Sequence, residues 1–135
     1  MTHYPRCVRN ISAETLQQIS EAYLLHLKRF VIPTYAKPNS TCTHVVNKLP
    51  QNFLHLGFLF LLFPNCRIIH CTREIKDNAL SIFFQNFQAG MKYASDFHDI
   101  ACFAREANRI MAHWRAVLPI RIHEVMLNQF GLEVS

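Results

Sequence analysis

The sequence predicts an α/β fold: a small parallel sheet flanked by helices, with about three strands and four to five helices. Two patterns carry that expectation. Short apolar or β-branched runs at 43–48, 67–72 and 120–126 are separated by longer stretches whose apolar residues recur at helical spacing. Strands that alternate with helices pair in parallel, because each crossover needs a long connection that packs back on the sheet. The length is the third observation. At 135 residues, half of them apolar and eleven of them Phe, the chain fits one domain with a real core, taken here as residues 1–135.

The elements follow in order. Ser12 is placed to cap a helix with Glu14 in its first turn, and Leu16, Ile19, Tyr23, Leu27 and Phe30 give it one apolar face to about residue 30. Pro33 and the segment 37–41 break it into a loop. Residues 43–48 read as a strand, and Pro50 suits the first turn of a helix over 51–63. That helix is the strongest apolar run, but 11 residues are far short of the roughly 20 a membrane span needs. Residues 67–72 form the second strand. Asp77 lies at the start of a helix to about Phe87, which Gln88-Ala-Gly90 ends. Asp96 caps the longest helix, with Ile100, Phe103, Ala104, Ala107, Ile110, Met111, Trp114 and Val117 on one face. Leu118-Pro119 stops it before a third strand at 120–126.

Composition narrows function only coarsely. The net charge is +5 with His neutral, which favours anionic partners. Because the basic residues are scattered, specific nucleic-acid binding is not expected. Cys7, Cys42, Cys66, Cys71 and Cys102 are odd in number and contain no C-x-x-C pair, which fits reduced thiols in a cytoplasmic protein. The eight histidines lack metal-ligand spacing, so no metal is expected. The opening Met1-Thr-His-Tyr-Pro has no apolar core of a signal peptide.

The chemistry concentrates at Arg67-Ile-Ile-His-Cys-Thr-Arg73-Glu-Ile-Lys-Asp77-Asn-Ala-Leu-Ser81. A strand, a short polar loop and a helix start put Arg73 at the carboxyl end of the strand and Ser81 about one turn into the helix. Ligands of open α/β sheets bind beyond that edge. An Arg fork with a Ser hydroxyl suits a phosphate. Taken alone, Arg73 also reads as a surface residue pairing with Asp77, and Ser81 as a small packing residue.

The spacing of Arg73 and Ser81 resembles the 3′-phosphate-binding segment of sulfotransferases that use PAPS (3′-phosphoadenosine 5′-phosphosulfate). Asn47-Lys-Leu-Pro-Gln-Asn-Phe-Leu-His-Leu-Gly57, Leu61-Leu-Phe-Pro-Asn65, Ser81-Ile-Phe-Phe-Gln-Asn-Phe87 and Met111-Ala-His-Trp-Arg-Ala-Val-Leu-Pro119 are similar to bacterial sulfotransferase domains fused to tetratricopeptide repeats, which are related to tyrosylprotein sulfotransferases. The resemblance spans about residues 4–126 and implies a P-loop-related sheet. It also implies transfer of sulfonate from PAPS, a nucleotide donor, to a hydroxyl or amine acceptor. Arg73 and Ser81 would then bind the 3′-phosphate, and Lys48 would stabilise the sulfuryl oxygens as catalytic residue.

Two departures stand near Arg73: Glu74-Ile75 replaces the family's Asp-Pro, and Thr72 sits where the bacterial branch often has Arg. A larger one is the Gly/Ser/Thr-rich phosphate loop, for which three glycines, Gly57, Gly90 and Gly131, offer no candidate. The resemblance thus implies a truncated domain whose phosphate loop and catalytic Glu would come from an upstream segment or a partner chain. The alternative is a non-catalytic remnant serving as a binding or structural module.

Overall fold

The computed structural model describes residues 4–35, 43–85, 91–128 and 131–134. The chain is α/β and divides into two compact units, Met1–Cys66 and Arg67–Ser135.

The first unit is helical. Ser12 has extended backbone, and its hydroxyl accepts from the Thr15 N–H at 3.1 Å, satisfying one of the amides left free at the start of α1 (Ala13–His26). The helix does not stop at Pro33 as expected. It runs through a π turn, Leu27–Val31, into α2 (Ile32–Tyr35). A proline ring crowds the carbonyl four residues back, here that of Arg29, and the wider π turn gives it room. The expected loop at 37–41 lies outside the described residues.

The expected strand at 43–48 is not formed: residues 43–49 have no regular structure and are exposed throughout, Val46 by 88%. Its β-branched residues favour extended backbone, but a strand is stabilised by its partners, and this segment has none among the described residues. Pro50 then opens a 3-10 helix, Pro50–Leu54, followed by α3 (Leu56–Leu62). The single helix expected over 51–63 is therefore broken at His55, whose φ of −124° and ψ of 11° leave helical space. Leu56 is the buried residue of this unit among those described.

The second unit holds the sheet. β1 (Ile68–Arg73) leads through Glu74 into α4 (Ile75–Phe84); a 3-10 turn, Lys92–Ser95, precedes α5 (Phe97–Val117), which returns to β2 (Ile122–Asn128) and β3 (Gly131–Val134). β1 and β2 pair in parallel, in register from Ile68 opposite Ile122 to Arg73 opposite Leu127, as the helical crossover between them requires. The sheet is not parallel throughout. β3, absent from the sequence expectation, pairs antiparallel with β2. Two residues between β2 and β3 cannot carry a crossover, so a hairpin is the available connection.

Asp96 caps α5 by accepting from the His98 and Asp99 N–H groups at 2.8 and 3.0 Å. Ile100 and Met111 on the expected face are buried, together with Ala94 and Ile122. Phe103, expected on that face, is partly exposed and instead stacks its ring on Tyr93 at 4.3 Å.

Candidate functional site

Arg73 is the last residue of β1, at its carboxyl end as expected. Strand residues alternate in burial, with Ile68, His70 and Thr72 half-buried and Ile69, Cys71 and Arg73 exposed, so Arg73 belongs to the open face of the sheet. Its side chain makes no hydrogen bond or ion pair with another described residue, and the alternative pairing with Asp77 is not formed.

Ser81 is likewise exposed. It is the seventh residue of α4 rather than about one turn in, because the helix starts at Ile75, two residues earlier than expected. Six residues of helix place it about 9 Å along the axis from Ile75. Arg73 and Ser81 therefore share one unit on consecutive elements, joined by Glu74 alone.

Glu74 resolves the first sequence departure. Its carboxylate accepts from the Lys76 and Asp77 N–H groups at 2.6 and 3.1 Å, so it is the N-cap of α4. Asp77 sits in the first turn, where the helix dipole favours a negative charge. Those amides are thereby occupied by the chain's own anion. Thr72 is also accounted for: its hydroxyl donates to the Val125 carbonyl at 3.5 Å and stitches β1 to β2.

Lys48 belongs to the first unit. It lies in the exposed segment before Pro50, and among the described residues its ammonium has no partner. Asn47, directly before it, is tied down: its amide donates to the Tyr23 hydroxyl at 2.8 Å and receives the Asn52 amide at 3.2 Å.

The structure also joins residues that sequence reading left apart. Arg115 of α5 donates through Nε to Glu124 of β2 at 2.7 Å, and its Nη2 meets the same carboxylate and lies 3.3 Å from His70 Nδ1 on β1. This link holds the Glu124 carboxyl below the usual carboxylate range, chiefly through the Arg115 hydrogen bond. His98 Nε2 lies 3.6 Å from Cys102 Sγ, one turn along α5, a spacing visible in sequence as i, i+4. His55 is exposed, with its ring edge-on to that of Tyr4 at 4.8 Å. Cys7, Cys66, Cys71 and Cys102 are free thiols, and burial pushes that of Cys66 upward. Among the described residues no group of three or more His, Cys, Asp or Glu is arranged to hold a metal, and no helix is long and apolar enough to cross a membrane.

Arg73 thus stands exposed at the carboxyl end of a parallel strand, the edge at which open α/β sheets bind ligands, with no side-chain partner among the described residues. The sequence matches the sulfotransferase family over residues 2–131, across both units. The chain belongs to the sulfotransferase family. It is 33% identical over 115 residues to an uncharacterized protein of Aquifex aeolicus (strain VF5); that match covers 83% of this chain but 15% of the Aquifex protein. No solved structure matches.

Proposed function

We propose that the chain binds the nucleotide donor of a sulfonate transfer from PAPS to a hydroxyl or amine acceptor. The observation that carries this is the exposed Arg73 at the carboxyl end of β1, its side chain without a partner among the described residues, with Ser81 on the next helix, in a chain of the sulfotransferase family. Arg73 would hold the 3′-phosphate through its planar pair of N–H donors, and the Ser81 hydroxyl would add a neutral donor. Lys48 would lie against the sulfuryl group, its charge offsetting that which grows on the sulfuryl oxygens. PAPS supplies an activated sulfonate, and the protein contributes position and charge. Both units belong to one sulfotransferase-like domain in this reading, since the family match runs through both.

A second reading, a non-catalytic binding or structural module, is favoured by one fact. The 135 residues contain no Gly/Ser/Thr-rich loop for the 5′-phosphosulfate. Transfer would then need that loop from a further segment or from a partner chain. A cytoplasmic setting accompanies both readings and suits the free thiols.

Calorimetric titration with adenosine 3′,5′-bisphosphate tests the donor site. Arg73→Ala is expected to weaken binding by about tenfold or more, the worth of a charged hydrogen bond, without lowering Tm. Failure of the folded chain to bind would leave Arg73 and Ser81 without this role and favour the module reading.

A further inference from the structure

We propose that Tyr23, Asn47 and Asn52 form a polar clamp that positions Lys48. The proposal rests on the role given to Lys48 above. Lys48 stands in a segment, 43–49, without regular structure, and every residue of it is exposed. Backbone of that kind is ordinarily free, and fixing it costs conformational entropy. A lysine that must meet one group on a ligand works best when this cost is met before the ligand arrives.

Asn52 fixes both neighbours of Lys48. Its backbone N–H donates to the Leu49 carbonyl at 3.0 Å, which starts the 3-10 helix after Lys48. Its side-chain amide donates to the Asn47 carbonyl at 3.4 Å and to Asn47 Oδ1 at 3.2 Å, just before Lys48. Asn47 in turn donates to the Tyr23 hydroxyl at 2.8 Å, which ties the segment to α1. Tyr23 is itself seated, with its ring 5.5 Å from that of Phe63. The Tyr23, Asn47 and Asn52 side chains thus hold the chain before Lys48, the Asn52 backbone N–H holds it after, and the Lys48 ammonium is left for a ligand.

The test compares affinities for PAPS and for adenosine 3′,5′-bisphosphate, which lacks the sulfuryl group. Lys48→Ala is expected to lower the preference for PAPS about tenfold. Asn47→Ala is expected to lower it nearly as much although Lys48 is still present, and the double variant should lose little more. Asn47→Asp should restore the preference, because the Tyr23 hydroxyl can donate to one carboxylate oxygen and Asn52 to the other. Tyr23→Phe keeps the ring on Phe63 and removes only the hydroxyl, so a folded protein with reduced preference is expected there too. A normal preference in Asn47→Ala and Tyr23→Phe, with Lys48→Ala impaired, overturns the clamp alone. An unchanged preference in Lys48→Ala overturns the role of Lys48 and the clamp with it, as does a folded chain that binds neither nucleotide.

Discussion

The two units of this chain secure their residues by different means. In the second, a parallel strand pair and a 21-residue helix place Ala94, Ile100, Met111 and Ile122 out of water. In the first, Leu56 is the buried residue among those described, and the exposed Tyr4 and Asn47 and the half-buried Asn52 are held by hydrogen bonds to backbone and to one another. The contrast suits what each carries. Arg73 ends a strand fixed by its ladder, whereas Lys48 sits in irregular chain that needs its own fastenings.

The largest expected effect breaks the core of one unit. Met111→Ala should cost about 3 kcal/mol, because Met111 is 3% exposed and truncation leaves a cavity. Leu56→Ala should cost about 2 kcal/mol, with urea unfolding followed by fluorescence and circular dichroism. Equal losses from the two would remove the contrast in packing. Next come the caps. Asp96→Ala and Ser12→Ala each remove the acceptor of a helix's first amides and should cost about 1 kcal/mol, read as a lower Tm.

The smallest effect concerns pH. The folded-state Glu124 carboxyl is held low by Arg115, so the unfolded chain takes up that proton first as pH falls. Its contribution is present above the ordinary glutamate value of about 4.3 and is lost as pH drops through the lower folded value. Glu124 is 41% exposed, so the link is worth only about 0.5 kcal/mol. Glu124→Gln should flatten the dependence of stability on pH between about 5 and 3; an unchanged slope would show that the Arg115 link contributes nothing to folding.

Local chemistry was legible in the sequence and long-range pairing was not. Ser12 and Asp96 were readable as caps because capping is decided within three residues. The parallel pairing of β1 with β2 followed from the helices between them. Residues 43–48 misled because Thr43, Val45 and Val46 have strand propensity, and propensity says nothing of a partner. β3 was missed because four residues opening on Gly131 carry too little pattern. Arg73, Ser81 and Lys48 were nameable through family spacing, but the fastening of Asn47 by Tyr23 joins residues 24 apart. Likewise, the link from Arg115 to His70 spans 45 residues.

Glu74 has a consequence for selectivity. By keeping a resident carboxylate on the first amides of α4, the chain fills the berth that many helices offer to any passing anion. Free phosphate, sulfate and carboxylates therefore gain little from the helix. Under the proposed function, a guest would have to rely on the Arg73 guanidinium, which would reward a ligand that brings further contacts along with its phosphate.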